Sequence, residues 1–342
     1  DIHVSVGVRP AFRLHGELIR KPNAPIVTAD DMEAVLRSFL TKQQIEIFNN
    51  ELEFDFSFEF VRDNAEPLRF RGNFSYERGN LSLAFRIITP VIRTLKQLLL
   101  PESLKDIATK SRGLFIVTGP TGSGKSTTLA ALVQEINATR AVHIVTIEDP
   151  IEYLFKHKRS VVVQREVGSD TLSFANALRS VLREDPDVIL VGEMRDLDTI
   201  STALTAAETG HLVFATLHTN SAAQSVDRIV DVFPPHQQEQ VKMQLASVLL
   251  AIFSQQLIPR FDRKGLTLAT EVLITIPAIR NLIREGKTHL IPSTMQTSSS
   301  SGMQTMEQSL KELVLNGSIT YDEGLQYAFD KESFMNLMEA TK

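Results

Sequence analysis

The stretch Gly119-Pro120-Thr121-Gly122-Ser123-Gly124-Lys125-Ser126 decides the fold. An apolar run of strand character, Gly113 to Thr118, precedes it, and apolar residues recur at helical spacing from Ser126 to Asn137. A strand, a glycine loop of the form GxxxxGK[ST] and a helix in this order predict a phosphate-binding loop. The alternative is a chance glycine-serine turn between a strand and a helix. The presence of both flanking elements disfavours it.

The residue types of this loop suit phosphate binding. Glycines let backbone N–H groups close around phosphate oxygens, and the amino end of the following helix adds a partial positive charge. Lys125 can reach the β- and γ-phosphates, and the Ser126 hydroxyl can ligate Mg²⁺. We therefore predict a nucleoside triphosphate site that is formed by Gly119, Pro120, Thr121, Gly122, Ser123, Gly124, Lys125, Ser126 and Thr127.

The composition is typical of a globular protein with two domains. The chain has 342 residues, of which 43% are hydrophobic and 23% charged. Its longest apolar runs, such as Val248 to Phe253, are too short to cross a bilayer, and we expect no signal peptide. The lack of cysteine excludes disulfides and cysteine-based zinc sites. Because the chain begins with Asp inside a strand-like stretch, we expect that some N-terminal sequence is missing.

The charge balance bears on the class of partner. The net charge is −5, whereas a nucleic-acid binder usually carries a basic surface. A local basic channel remains compatible with this charge. We therefore predict no stable nucleic-acid partner.

Residues 1–88 predict a small α/β domain. Alternating patterns predict strands, and one amphipathic stretch predicts a helix with Thr28 as its N-cap. The predicted strands are 2–8, 11–18, 52–60, 68–76 and 81–87, and the helix is 28–41. On the last hairpin Arg69, Arg71 and Arg86 share the polar face. A solvated sheet face is the ordinary explanation, and the functional alternative is that these arginines reach a triphosphate bound elsewhere.

We predict a linker over residues 89–100 and a nucleotide-binding domain with a C-terminal helical region over residues 101–342. Strand and helix patterns alternate after the linker, which is typical of a mainly parallel sheet with crossover helices. The predicted strands are 113–118, 142–148, 161–166, 187–192, 211–217, 255–259 and 267–274. The predicted helices are 125–137, 173–184, 197–209, 221–232, 235–253, 277–285, 305–315, 321–328 and 331–340.

Ligands of an open parallel sheet bind at the carboxyl ends of its strands. The second predicted strand ends at the acidic segment 148–152, and the fourth ends at Glu193. A carboxylate after a buried apolar run, such as Glu193, can hold Mg²⁺ through water. One carboxylate of the acidic segment should position or deprotonate the attacking water, and the spacing does not say which one.

Two histidines flank the strand 211–217. His218 ends this strand, so it is placed to sense phosphate. His211 lies seven residues earlier, at the opposite end and facing the opposite side, so the two do not form a metal pair. Taken alone, His211 is more typical of a structural histidine.

Four sequence boxes in a fixed order resemble the type II/IV secretion ATPase family. Besides the phosphate loop, Thr146 to Glu152 is similar to its Asp box and Pro186 to Asp196 to its Walker B segment. Ala207 to Thr219 is similar to its His box. The resemblance covers essentially the whole chain. Without the four-cysteine motif of extension and secretion ATPases, and with AIRNL at Ala278 to Leu282, the chain resembles the pilus-retraction (twitching motility, PilT-like) branch.

This resemblance implies a fold and a set of site residues. The fold would be an N-terminal PAS-like domain followed by a RecA-like ATPase domain, assembled as a homohexamer. Glu152 would be the general base, Glu193 the Walker B glutamate near the metal, and Lys125 the phosphate-binding lysine. The paired histidines would be His211 and His218, and the arginines that contact the triphosphate would be Arg71 and Arg86.

The resemblance also implies a function. It is Mg²⁺-dependent ATP hydrolysis by a cytoplasmic motor that powers type IV pilus retraction at the inner-membrane base of the pilus machine. The motor would act on an inner-membrane platform protein and meet the membrane only through that partner. One alternative is a related motor for secretion, pilus assembly or DNA uptake. Others are a RecA-like nucleic-acid motor, disfavoured by the acidic charge, and a nucleotide-gated scaffold without turnover.

Overall fold

The computed structural model describes residues 1–14, 17–61, 68–88 and 91–340. The chain forms two compact units. The first consists of Asp1–Val91 and Pro150–Leu154, and the second of Ile92–Asp149 and Phe155–Lys342. Part of the acidic segment thus belongs to the first unit. Residues 89 and 90, which begin the predicted linker, lie outside the described residues.

The first unit is an antiparallel sheet with two helices. Its six strands lie in the order β3-β2-β1-β6-β5-β4. The strands are β1 (Ile2–Ser5), β2 (Ala11–Leu14), β3 (Glu17–Arg20), β4 (Glu53–Phe60), β5 (Leu68–Glu77) and β6 (Asn80–Ile88). The helices are α1 (Ala29–Phe39) and α2 (Lys42–Glu51). Thr28 caps α1 as the sequence predicts, and Thr41 begins α2, which was not predicted, with a second capping box.

Phenylalanines make the core of the first unit. Phe74 and Phe48 are fully buried, and Phe56 stacks on Phe74 with ring centroids 5.2 Å apart. The alternation in β4 therefore placed its phenylalanines on the core face, as predicted. Phe60, the last residue of β4, is an exception and is exposed.

The second unit is built on a seven-stranded sheet. The order is β13-β12-β7-β11-β10-β8-β9, and only β13 runs antiparallel to its neighbour. The strands are β7 (Gly113–Thr118), β8 (His143–Glu148), β9 (Val161–Glu166), β10 (Val188–Val191), β11 (Leu212–Leu217), β12 (Leu249–Pro259) and β13 (Leu266–Ile274). The first six helices of this unit are α3 (Ser103–Ala108), α4 (Lys125–Thr139), α5 (Phe174–Val181), α6 (Leu197–Glu208), α7 (Ala222–Asp231) and α8 (Pro235–Val248).

Helices cover both faces of this sheet, so its central strands are apolar throughout. In β7, Leu114 and Ile116 belong to one core cluster and Phe115 and Val117 to the other. Strands buried on both faces read as continuous apolar runs. The unit therefore has an α/β fold with a mainly parallel sheet, as expected.

One predicted helix is too long. The sequence predicts a helix over 235–253, but α8 ends at Val248 and β12 begins at Leu249. Residues 251–254 pair with β7 on one side and β13 on the other. A fully buried strand lacks a period-two pattern, so its apolar run could not be distinguished from a continued helix.

Five short helices complete the second unit. They are α9 (Pro277–Glu285), α10 (Ile291–Thr297), α11 (Met306–Leu315), α12 (Tyr321–Tyr327) and α13 (Lys331–Glu339). A small core of its own, which includes Met306, Leu310 and Phe334, packs α11 to α13 against β12 and β13. Among the described residues, no helix combines the length and the apolarity that crossing a bilayer requires.

Candidate active site

The phosphate-binding loop lies between β7 and α4. Gly119, Gly122 and Gly124 have φ angles of +141°, +80° and +89°, a region that side chains with a Cβ rarely adopt. A Cβ on Gly119 would lie 2.3 Å from the backbone oxygen of Gln255, so glycine is also required there for space. The loop therefore curls tightly around the amino end of the 15-residue helix α4, which favours anions.

Lys125 sits inside this curl. Its ammonium Nζ donates hydrogen bonds to the carbonyl oxygens of Gly119, at 2.9 Å, and Pro120, at 3.1 Å. The residue is 9% exposed. Pro120, Thr121 and Gly122 are on the surface, whereas Ser126 and Thr127 are half-buried in the first turn of α4. The cationic head thus lies where a loop of this type receives phosphate.

Glu193 and His218 come together, as their positions at the ends of β10 and β11 predict. His218 Nε2 lies 3.2 Å from Glu193 Oε1. The Arg195 guanidinium contacts the same carboxylate oxygen. Its hydrogen bond to Glu193 and their charge attraction raise the pKa of Arg195. One carboxylate therefore contacts both a histidine and an arginine, and the contact with Arg195 was not predicted.

A chain of hydroxyl groups ties β7 to the turn after His218. Thr118, the last residue of β7, bonds through its hydroxyl to the hydroxyl of Thr219 at 2.7 Å. Thr219 Oγ1 in turn lies 2.6 Å from Ser225 Oγ on α7. The ends of β7 and β11 are thus joined directly before the phosphate loop and directly after His218.

The residues of the acidic segment differ in their surroundings. The Glu148 carboxylate accepts hydrogen bonds from Thr146 Oγ1 at 2.6 Å and from Gln164 Nε2 at 3.2 Å. Glu152 is exposed and lies in the stretch that clusters with the first unit. Within that unit, Arg69 Nε donates to the carbonyl of Ile151 at 3.2 Å.

Arg71 and Arg86 lie directly opposite each other on β5 and β6, in agreement with the predicted hairpin face. A carboxylate holds each of them. Arg71 Nη2 is 3.1 Å from Asp55 Oδ2, and Arg86 Nε is 3.0 Å from Asp1 Oδ1. Both arginines line a pocket of about 170 Å³ in the first unit. This face is therefore open to solvent, and each guanidinium charge on it is balanced by a carboxylate.

His211 lies at the other end of β11 from His218. Its Nδ1 is 2.9 Å from the carbonyl oxygen of Ala206, and its own carbonyl accepts the N–H of Gly113 at the start of β7. Six strand residues separate the two histidines, which is roughly 20 Å. His211 is therefore not one of the groups around the phosphate loop of its own chain.

The oxygens available for Mg²⁺ are few. Within the described ranges, no group of three or more His, Cys, Asp or Glu side chains is arranged to hold a metal ion. Mg²⁺ usually binds through one or two protein oxygens together with substrate phosphates and water. The Ser126 hydroxyl in the first turn of α4 and the Glu193 carboxylate are donors of that kind, so they fit this role.

Two buried polar residues of this region went unpredicted. Gln255 on β12 reaches the phosphate loop, and Glu271 on β13 accepts the N–H of Ala222, the first residue of α7, at 2.6 Å. A signal was present in the sequence, because Ser254, Gln255 and Gln256 interrupt an otherwise apolar run. Polar residues inside a buried strand need partners, and this pattern points to a site.

The chain is similar in sequence to known proteins. A family described as "Type II/IV secretion system protein" matches residues 96–281. A twitching motility protein of Neisseria gonorrhoeae is 50% identical over 325 residues, which make up 95% of this chain and 85% of that protein. The type IV pilus retraction ATPase PilT of Pseudomonas aeruginosa is 46% identical over 334 residues, or 98% of this chain and 95% of that one.

The structural comparison agrees. A crystal structure of the pilus retraction motor PilT with bound ADP is similar, with a TM-score of 0.90 and 47% sequence identity. The match covers 98% of this chain and 94% of that one. The region matched by the family description contains the phosphate loop, Glu193 and His218. The chain therefore belongs to the type II/IV secretion system protein family and is an ATPase of its PilT-like branch.

Proposed function

We propose that this chain hydrolyses ATP with Mg²⁺ as one subunit of a homohexameric motor that retracts type IV pili. The observation that carries the proposal is the tight glycine loop around Lys125 at the amino end of α4. Similarity to a twitching motility protein and to a pilus retraction ATPase supports the proposed role in pilus retraction. The proposed domains are those predicted from the sequence, 1–88 and 101–342, joined by the linker 89–100.

The chemistry is the attack of water on the γ-phosphorus of ATP with ADP as the leaving group. Lys125 and the loop N–H groups bind the phosphates and stabilise the charge that develops on their oxygens. Bound Mg²⁺, held by Ser126 and through Glu193, would neutralise phosphate charge. His218 contacts the Glu193 carboxylate at 3.2 Å and so orients it.

Glu152 is the proposed general base. The carboxylate of Glu148, four residues earlier, already accepts two side-chain hydrogen bonds, which fix its orientation. The side chain of Glu152 is exposed and can turn toward a water molecule. The expected role is to hold the attacking water and take its proton.

Arg71 and Arg86 are the proposed arginine fingers. They lie on a face that is open to solvent, and each would exchange its carboxylate partner for phosphate oxygens. In a ring, a neighbouring subunit would supply these arginines. His211 would act at the boundary between two subunits and not at the phosphate loop of its own chain. The proposed partners are five further copies of the chain and an inner-membrane platform protein. The proposed location is the cytoplasmic base of the pilus machine.

Assays on the purified protein test the proposed ATP hydrolysis. Lys125→Ala should abolish Mg²⁺-dependent ATP hydrolysis, because it removes the cation that holds the phosphates. Turnover like that of the wild type would refute the assignment of the loop. Glu152→Gln should bind ATP and hydrolyse it poorly, while the matched change Glu148→Gln should have the smaller effect. The reverse order would move the base to Glu148.

Observation of pili in cells tests the proposed role in retraction. A strain lacking this gene should carry an excess of unretracted pili, and complementation should succeed with the wild type but not with Glu193→Ala. Arg280→Ala should also fail if the AIRNL segment transmits force. A deletion strain without pili would instead indicate an assembly or secretion motor. Salt-dependent stimulation of hydrolysis by DNA would favour a nucleic-acid motor, and ATP binding without turnover would favour a scaffold.

A further inference from the structure

Strand β12 carries a buried glutamine beside the phosphate loop. Gln255 is 1% exposed and lies in a strand whose residues are mostly apolar. A primary amide that is buried without hydrogen bonds is strongly disfavoured relative to one in water. The partners of this amide therefore indicate what it does.

The Gln255 side chain bridges the phosphate loop and the helix that follows it. Its Nε2 donates to the carbonyl oxygen of Ser123, inside the loop. Its Oε1 accepts from the hydroxyl of Thr128, in the first turns of α4, at 2.9 Å. Both bonds are buried. The amide thus fixes the end of the loop relative to the start of the helix.

The same residue also bounds the loop through its shape. A Cβ on Gly119 would lie 2.3 Å from the backbone oxygen of Gln255, and a Cβ on Gly124 would lie 3.1 Å from its Nε2. Gln255 therefore packs directly against the first and last glycines of the loop. Neither glycine can be replaced without moving β12 or the amide.

We propose that Gln255 is a positioning residue, which holds the phosphate-binding loop in its binding shape so that nucleotide affinity depends on β12. This role rests on the proposed ATP site, because it assumes that the loop binds phosphate. Order imposed before binding reduces the conformational entropy lost on binding, and so it raises affinity without any contact to the ligand.

The glutamine amide satisfies both partners at this position. The Ser123 carbonyl needs a donor and the Thr128 hydroxyl needs an acceptor, and the amide supplies one of each. Methionine has a similar length but offers neither. An ionised glutamate offers two acceptors and no donor, so it would face the Ser123 carbonyl with like partial charge. A protonated glutamate again offers one donor and one acceptor.

The first experiment compares Gln255→Met with Gln256→Met in steady-state ATP hydrolysis. Gln256 is the next residue of the same strand and donates instead to the carbonyl of Tyr327 at 3.3 Å, away from the loop. Loss of buried hydrogen bonds at the loop should raise KM about tenfold in Gln255→Met. Because Gln255 acts by ordering the loop before nucleotide binds and not on the charge that develops during the reaction, the effect should fall mainly on KM, and kcat should change by less than about threefold. The affinity for ADP, measured by titration calorimetry, should fall in parallel.

The second experiment uses pH. Burial raises the pKa of a carboxyl group, so Gln255→Glu should regain a donor as the pH falls. Its KM for ATP should therefore improve about tenfold more than that of the wild type between about pH 8 and about pH 6. Thr128→Val, which removes one bond and is the milder change, should raise KM about threefold and should be less than additive with Gln255→Met.

The outcomes separate this role from the ATP site itself. If Lys125→Ala remains active, the proposed ATP site fails and the role of Gln255 falls with it. If Lys125→Ala is inactive but Gln255→Met and Thr128→Val keep the KM of the wild type, only the positioning role is refuted. An equal rise of KM in Gln256→Met would also refute it, since the effect would then be a general loosening of β12.

Discussion

Replacing Glu271 with glutamine should remove a pH dependence of stability from the second unit. Glu271 is 7% exposed on β13. Burial raises its pKa from the ordinary value of 4.5 to about 7, and the nearby charge of Glu307 adds to this increase. Backbone N–H groups of Ala222 and Met306 oppose it, because they stabilise the ionised form.

The sign follows from the two protonation states. Between the unfolded pKa of 4.5 and the folded pKa of about 7, the folded protein binds a proton that the unfolded chain has released. The stabilisation is therefore complete below about pH 4.5 and is lost as the pH rises through about 7. From about pH 5 to about pH 8 the wild type should lose roughly 2–3 kcal/mol through this group.

Calorimetric unfolding of the full chain measures this loss. The introduced glutamine would keep an acceptor for the Ala222 N–H but would not titrate, so a Glu271→Gln protein should lose less stability with rising pH. For a unit of this size the difference corresponds to roughly 5–10 °C in the change of Tm between the two pH values. Glu312→Gln, on the exposed side of α11, is the matched control for loss of one charge and should behave like the wild type. Equal pH dependence in Glu271→Gln and the wild type would refute the reasoning.

Three further substitutions have expected outcomes. Gly119→Ala should fold but fail to bind ADP in calorimetry, because its methyl group would meet the Gln255 carbonyl at 2.3 Å; normal binding would contradict the loop geometry. Glu193→Gln should retain ATP binding while steady-state hydrolysis falls by about 100-fold or more, and an unchanged kcat would remove Glu193 from the mechanism. Phe74→Ala, at a fully buried position, should lower the stability of the first unit by about 3–5 kcal/mol in chemical denaturation. A change below about 1 kcal/mol would show that the aromatic core is not what stabilises that unit.

Much of the fold could be predicted because local patterns and tertiary structure agree there. The strand before the loop, the loop itself and helix α4 were predicted at 113–118, 119–126 and 125–137, and the structure has the strand at Gly113–Thr118 and the helix at Lys125–Thr139. The hairpin that presents Arg71 and Arg86 was predicted from period-two alternation and is observed. The end of the helix predicted to reach residue 253 was wrong, since burial on both faces removes the periodic pattern that separates strand from helix.

The chemistry of the phosphate loop can be predicted from the sequence alone, since its glycines, its lysine and the adjoining helix are local and contiguous. The sequence also predicts that Glu193 and His218 lie at strand ends, and they meet because β10 and β11 are neighbours in the sheet. The tertiary structure was needed to show that Gln255, 132 residues beyond Ser123, supports the loop, and that Glu271 caps α7. These contacts depend on which strands become neighbours, and strand order is set by the packing of the whole sheet. The polar residues that interrupt the apolar run of β12 indicate a buried site but do not identify its partners.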